Sequence, residues 1–363
     1  MDNNLTNFWK NKKVVVTGGE GFKGSWLVLF LHELGAKVCS LGLPVDWQGS
    51  ISEYFQDANI EIERHRIDIR DYEKTRESLV RIEPDIVFHL AAEPIVLNAQ
   101  NNPLDCINTN VLGVANLFEA CRGLLNLKAV VNVTSDKVYF NSNHVTSFSE
   151  TSALGGKDIY SASKACSEIV TRSFYHSYFE FGEVGIATAR GGNVIGGGDW
   201  SKHRIVPDIF RSLKSNEKLE IRSPGSFRPW QHVLDCVWGY VCLAKHIFEK
   251  KTFENYNFGP SLSKPQSVKD LYEELVSVFP ELEKTGVNWG QSENTGIESK
   301  FLSVDSTRAR VLLDWQSYLN FKETVAWTAD WYRVEYESNS NAKEMIEITK
   351  NQVSKYLNYI NQG

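Results

Sequence analysis

The chain lacks the features that would tie it to a membrane, to a polyanion or to a cross-linked scaffold. No apolar run reaches the roughly 20 residues that a membrane helix needs. The polar start, Met1-Asp-Asn-Asn-Leu-Thr-Asn-Phe-Trp-Lys10, is not that of a signal peptide. Lys and Arg number 39 against 45 Asp and Glu, and the net charge of −6 argues against a broad nucleic-acid surface. The six cysteines stand apart, at positions 39, 106, 121, 166, 236 and 242. With no C-x-x-C pair they offer neither a disulfide framework nor a metal cage, and they read as reduced, mostly buried thiols of a cytoplasmic protein. Internal repeats and low-complexity linkers are also missing.

What is present suits a globular protein. With 363 residues, 42% of them hydrophobic and 23% charged, the chain can bury one large core or two lobes. Strand and helix patterns alternate through its first half. Lys13-Val-Val-Val-Thr17 and Lys37-Val-Cys-Ser-Leu41 flank a helical stretch from Ser25 to Leu34. Further strands are expected over 60–68, 85–90, 129–134 and 185–190, with helices over 72–82, 110–123 and 160–178. This order predicts an α/β fold: a Rossmann-type doubly wound parallel sheet with ligands beyond the carboxyl ends of its strands. Asp68, Ala91, Ala92, Ser135 and Gly191 fall at such ends.

Between the first strand and its helix lies Gly18-Gly-Glu-Gly21-Phe22-Lys23-Gly24. Glycines there permit a tight turn and let a pyrophosphate approach the backbone at the helix N-terminus. An acidic residue roughly 20 positions later would bind a ribose 2′-hydroxyl. Asp46 stands late for that role, beyond a proline, and no arginine stands there for a 2′-phosphate, so NAD is preferred to NADP. Lys23 fits a phosphate contact or a solvated surface position.

The segment from Val131 to Lys164 holds the densest chemistry. Thr134-Ser135-Asp136-Lys137 ends an apolar run, and Tyr160-Ser-Ala-Ser-Lys164 follows. Tyr and Lys at i and i+4 share one helix face. They are a solvated pair or, closed over a nicotinamide, a phenol base whose ionisation the ammonium favours. Ser135, Asp136 and Lys137 add a hydroxyl, an acid and a second base.

The second half is less regular. Gly191-Gly-Asn193-Val-Ile-Gly-Gly-Gly-Asp199-Trp200 is a loop that packing alone would not call for. Arg228-Pro-Trp230-Gln-His232 gathers a cation, an aromatic ring and an imidazole. Arg228 could bind a phosphate and Trp200 or Trp230 could stack on a base, or the tryptophans are core and the arginine a surface charge. Helices are expected over 268–279 and 321–332. A terminal helix over 342–360 should pack on the body or fray.

These motifs resemble those of the extended short-chain dehydrogenase/reductase superfamily. Within it, Gly21-Phe-Lys-Gly-Ser-Trp-Leu27, Thr134-Ser-Asp-Lys137, Tyr160-Ser-Ala-Ser-Lys-Ala165, Gly192–Trp200 and Arg228–Asp235 are similar to those of the nucleotide-sugar 4,6-dehydratases that act on CDP-glucose. One departure stands out. That branch usually continues Leu-Ala-Ala with Gln-Pro and an arginine pair, whereas this chain has Glu93-Pro-Ile-Val-Leu-Asn98. The resemblance implies bound NAD, held by Gly18, Gly21, Phe22, Lys23, Gly24, Asp68, Ile69, Leu90, Ala91, Ala92, Tyr160 and Lys164. Tyr160 would take the proton of the sugar C4 hydroxyl, with its pKa lowered by Lys164 and its reacting oxygen held by Ser135. Lys137 would remove the C5 proton or stay charged and stabilise an enolate. Asp136 would donate to the departing C6 hydroxyl. Asn193, Asp199, Trp200, Arg204, Arg228 and His232 are the implied substrate contacts, CDP-glucose is the favoured substrate, and a homodimer is implied. A 4-epimerase or a reductase would share the fold, Tyr160 and Lys164, but would not use Asp136 and Lys137. The domain boundaries that follow are 1–190 for the NAD-binding domain, joined by about 232–260, then 191–231 and 261–335 for a mixed α/β substrate lobe, and 336–363 for a helical tail.

Overall fold

In the computed structural model, which describes residues 3–56, 60–141, 147–260, 266–290 and 301–362, the alternating segments become a seven-stranded sheet. Its strands are β1 (Lys13–Thr17), β2 (Lys37–Gly42), β3 (Glu63–Arg66), β4 (Ile86–His89), β5 (Ala129–Val133), β6 (Gly185–Gly191) and β7 (Phe253–Phe258). They lie in the order β7-β6-β5-β4-β1-β2-β3, and every neighbouring pair is parallel. Chain order reverses between β1 and β4, where a doubly wound sheet opens its crevice.

Apolar runs form these strands because both faces are covered. Val14, Val16, Phe88 and Val131 point into one core, while Val15, Val87, Val130 and Ile186 point into the other. The expected strand over 60–68 shortens to Glu63–Arg66, because β3 is an edge and pairs with only four residues of β2, Cys39–Gly42.

The first core lies under α1 (Phe22–Glu33), in which Phe22 and every residue from Gly24 to Leu31 are buried. A helix buried this thoroughly needs a layer beyond it. α6 (Val233–Lys250) and the C-terminal α9 (Ala342–Gln362) provide one, with the Phe30 and Tyr356 rings 6.4 Å apart. The terminal helix therefore packs, with Met345, Val353 and Tyr356 fully buried. The second core lies under α2 (Tyr72–Ile82), α3 (Gly113–Cys121) and α4 (Ile159–Phe174). π turns at Asn108–Leu112 and Tyr175–Phe179 interrupt the two helices expected over 110–123 and 160–178. The expected helix over 321–332 runs on as α8 (Phe321–Glu337), after α5 (Ile205–Ser215) and α7 (Val268–Val278).

Short strand pairs build the region after the sheet: Val194–Ile195 with Gln231–His232, Phe227–Arg228 with Gln266–Ser267, and Leu219–Ile221 with Val287–Trp289. Of the expected substrate lobe, residues 261–265 and 291–300 lie outside the described residues. All six cysteines are unpaired. Among the described residues, no helix is long and apolar enough to cross a membrane.

Two buried carboxylates tie these layers together. Glu168 on α4 is 3% exposed and Arg190 at the end of β6 is 2%. Arg190 donates to Glu168 through Nε (3.0 Å) and Nη2 (2.7 Å), and the hydroxyls of Thr134 (2.5 Å) and Thr188 (2.7 Å) donate to the same carboxylate. Replacing Arg190 by Met would leave the Glu168 charge buried and uncompensated. Urea unfolding should show a loss of about 3–5 kcal/mol, and the Glu168→Gln/Arg190→Met double variant should recover part of it.

Asp235, fully buried on α6, accepts from Tyr356 Oη (2.6 Å), Ser317 Oγ (2.8 Å) and the Tyr318 amide (2.8 Å). Burial still outweighs these bonds and pushes its carboxyl from 3.8 up to about 6. The folded protein therefore holds this proton more tightly than the unfolded chain does. The stability that results is present below about pH 4 and is lost as pH rises through about 6. Relative to Asp235→Asn, the wild type should lose up to about 3 kcal/mol across that window, read as the difference between two pH series of unfolding curves.

Candidate active site

The turn after β1 is shaped by close approach. Gly18 has φ +69°, and a Cβ on it would lie 2.7 Å from the Ala91 nitrogen. A Cβ on Gly24 would meet the Gly18 carbonyl oxygen at 2.1 Å, so the first turn of α1 can rest on the loop only without a side chain there. Gly21 precedes the helix, whose free N–H groups point at the crevice. On the other wall, the Leu90 and Ala91 amides each donate to Thr17 Oγ1 (3.2 Å), which bonds His89 Nδ1 (2.7 Å). These residues form a backbone-lined cradle of the kind that fits a dinucleotide pyrophosphate.

Beyond the end of β2 the structure brings together groups that spacing did not connect. Glu20, inside the glycine turn, accepts from Ser40 Oγ (3.0 Å) and faces Arg64 of β3 (3.6 Å). A carboxylate and an arginine thus stand where the sequence offered only the late Asp46, which lines a cleft further out. Asp68 is held by the Arg70 guanidinium and amide at 2.6–3.0 Å, which keeps its carboxyl below the usual range. Ile69 is 4% exposed and packs in the second core beside Gly113, so its side chain is structural.

At the end of β5, Ser135 caps a single 3₁₀ turn, Asp136–Val138. Its Oγ accepts the Lys137 amide (3.2 Å) and donates to Asp136 Oδ1 (3.2 Å). Asp136 is buried, and its Oδ2 has no hydrogen-bond partner among the described residues. Burial raises its carboxyl above the ordinary range against the opposing charges of Lys137 and Lys23, the Ser135 bond and Arg228. α4 starts where Asp158 caps it through the Ser161 amide (2.9 Å), and this places Tyr160 and Lys164 one turn apart over the same spot.

Burial is the largest influence on the charge of both. Burial pushes the Tyr160 hydroxyl up to about 12; its bond to Ser135 opposes that, nearby Asp136 adds to it, and Arg204 is the cation that lowers it. Lys164 lies one turn further along α4. Its ammonium donates to the Val133 carbonyl (3.3 Å), and burial first, then Lys23, pull it down to about 8.

The implied substrate residues divide. Gly192 touches the acid, since a Cβ there would lie 3.3 Å from Asp136 Oδ2, and Asn193 follows it, partly exposed. Arg228 is buried and acts on Asp136. Arg204 starts α5 and acts on Tyr160 and Glu93; it is held by Asp199 (3.0 Å), which also accepts the Ser201 amide, so Asp199 serves the arginine rather than an open pocket. The Trp200 ring packs edge-on against Tyr332 (5.2 Å) and borders a cleft of about 990 Å³ shared with Asp46, Trp47 and Asn98. His232 is a correction. It is fully buried between Trp26 and Trp327, caps α6 by accepting the Leu234 amide (3.2 Å), and burial drops its imidazole to about 3. It is a neutral core residue.

Sequence reasoning missed Asn110. Its side chain accepts the Glu93 amide (2.8 Å) and donates to the Glu93 carbonyl (3.1 Å) and to Ser163 Oγ (2.9 Å), which locks the loop after β4 to α4. No spacing rule would have found it. The ligand atoms of Cys39, Glu63 and His65 lie within 4.8 Å of one another, but Glu63, Ser78 and Arg81 already engage both His65 nitrogens.

Comparison with known proteins agrees with this arrangement. The family model for GDP-mannose 4,6 dehydratase matches residues 15–328. A CDP-glucose 4,6-dehydratase of Salmonella typhimurium is 38% identical over 359 residues, 97% of this chain and 98% of the relative. A dTDP-glucose 4,6-dehydratase of Haemophilus influenzae is 26% identical, covering 88% of this chain and 97% of that one. A UDP-glucose-4-epimerase from Stenotrophomonas maltophila, solved with bound NAD, superposes with a TM-score of 0.79 at 20% identity over 90% of this chain and 100% of that one. With the glycine cradle, the Tyr160/Lys164 pair and the buried acid on one crevice, and with a family model that spans most of its length, the chain belongs to the GDP-mannose 4,6-dehydratase family.

Proposed function

We propose that the chain is an NAD-dependent nucleotide-sugar 4,6-dehydratase that converts CDP-glucose to CDP-4-dehydro-6-deoxyglucose and water. The observation that carries this reading is Asp136. Its carboxyl is buried, raised and unpartnered at Oδ2, beside Ser135, Tyr160 and Lys137. A carboxyl raised above its ordinary range is suited to carry a proton to a departing hydroxyl, a step that epimerisation lacks. The name of the 38% identical relative supports the choice of sugar and nucleotide.

The glycine cradle fits NAD, which when bound supplies a reversible hydride acceptor. The residues supply the rest. Tyr160 takes the proton of the C4 hydroxyl as that carbon is oxidised, and Ser135 holds the same oxygen. The resulting ketone acidifies the C5 proton, which Lys137 removes. Asp136 protonates the C6 oxygen, which leaves as water; C6 regains the hydride equivalent that C4 gave up, and the proton on Lys137 returns to C5. Arg204 and Arg228 face this centre and suit the substrate's diphosphate. Glu20, fixed by Arg64 and Ser40, is the carboxylate placed to meet the cofactor's adenine ribose.

Mass spectrometry of CDP-glucose incubated with the protein and NAD should show loss of one water with no accumulation of NADH. A product isomeric with the substrate would instead mean epimerisation. Asp136→Asn and Lys137→Ala should keep NAD binding but slow dehydration by about 10²–10⁴-fold.

The protein is further assigned as a homodimer. Leu104, Leu112, Ile169 and Tyr178, on and around the adjoining helices α3 and α4, are all more than half exposed, whereas Val114, Leu117 and Phe118 of α3 are used by the protein's own core. Sedimentation should give twice the chain mass, and Leu112→Glu/Ile169→Glu should return it to the monomer.

A further inference from the structure

Lys23 lies on the first turn of α1, inside the glycine motif, where a lysine would ordinarily serve a phosphate. Its side chain reaches elsewhere. A Cβ on Gly191, at the carboxyl end of β6, would lie 3.7 Å from Lys23 Nζ and 2.9 Å from both Cys236 Sγ and Tyr240 Oη. On the next residue, Gly192, the same construction meets Asp136 Oδ2 at 3.3 Å. The Lys23 ammonium thus ends at the glycine pair against which the acid rests.

We propose that Lys23 is a positioning residue of the reaction centre: its ammonium, lodged at Gly191, fixes the charge states of the Asp136 carboxyl and the Lys164 ammonium together. The proposal rests on the assignment of those two groups to catalysis. Asp136 also faces Lys137 on its own turn, Arg228 from Phe227–Arg228, and the hydroxyls of Ser135 and Tyr160. Lys164 faces His89 of β4, Cys106, Glu168 one turn along α4, and the Val133 carbonyl of β5. Lys23 is the group from α1 that reaches both. It favours the ionised carboxyl and disfavours the second ammonium, and its field lowers the thiol of Cys236 as well, although burial there wins.

A contact made only to phosphate would leave both titrations alone, and this gives the test. In protein labelled with ¹³C at lysine Cε and free of cofactor, the Lys164 resonance is identified by its loss in Lys164→Met. Its midpoint, about 8 in the wild type, should rise by about half a unit or more in Lys23→Met and stay in place in Lys23→Arg. With saturating NAD and substrate, both limbs of the Lys23→Met pH–rate profile should move to higher pH. An unmoved Lys164 midpoint in Lys23→Met, accompanied only by weaker NAD binding in calorimetry, would overturn the proposal and return Lys23 to the pyrophosphate. If Lys23→Met does not fold, Lys23→Gln gives the same reading. The lysine titration needs no turnover, so it stands or fails separately from the assigned substrate.

Discussion

The arrangement of this active site depends on one buried ion pair. Four donor groups converge on the Glu168 carboxylate, and three elements are joined there: α4 carries the acid, β6 supplies Arg190 and Thr188, and Thr134 extends from β5. Two charges withdrawn from water gain little net energy from each other. Their geometric demand is what matters, because a carboxylate with four bonds made inside a core allows little sliding of α4 along the sheet. Tyr160 and Lys164 lie two turns and one turn before Glu168, and Ser135, Asp136 and Lys137 directly follow Thr134. The pair therefore sets the distance between the two halves of the acid–base machinery. Arg190 reaches further, donating to Tyr139 Oη (2.9 Å) and to the Glu150 carbonyl (3.1 Å), and so ties the residue after the 3₁₀ turn to Glu150.

Within that frame, burial decides which groups are neutral. Desolvation is the largest influence on Asp136, Tyr160 and Lys164 alike, and it pushes each toward its uncharged form. For an acid that must donate a proton this is direct preparation. For Tyr160 it works against the role of base. The residues that oppose it, Ser135 by hydrogen bonding and Arg204 by charge, lie on different elements, so the phenol's reactivity is shared between the sheet and α5.

The parts of the fold that could be read in the sequence are those set by local periodicity. The valines at 14–16, the glycines that follow and the apolar stretch to Leu34 each leave a mark within a few residues, so β1, α1 and β2 follow from 13–41 alone. Tyr160, Lys164 and the Ser135–Lys137 turn were legible for the same reason. Side-chain partners from distant segments were not. Arg64 meets Glu20 across 44 positions of chain, and Asn110 meets Ser163 across 53. His232 misled because a histidine beside an arginine and a tryptophan has the composition of a pocket, while its strand pairing with Val194–Ile195 turns it into the core. Asp199 misled in the opposite sense, since an acid next to a tryptophan in a glycine loop gives no sign that it is bound to Arg204.

The glycines of the 191–198 loop show how the second lobe is joined to this chemistry. A Cβ on Gly197 would lie 2.0 Å from the Trp331 ring of α8, and the Gly197 carbonyl accepts the Trp26 indole N–H of α1 (2.9 Å). One loop thus touches the acid at Gly192 and is gripped between α1 and α8 at Gly197. Trp331 is itself fixed by Thr349 of α9 (2.9 Å). The C-terminal helix, distant from the catalytic residues in sequence, is therefore connected through Trp331 and the loop to the backbone that packs on Asp136. The loop at that point keeps the carboxyl buried, and burial is what raises it above the ordinary range. The packing of the last helix and the burial of Asp136 are two ends of one chain of contacts.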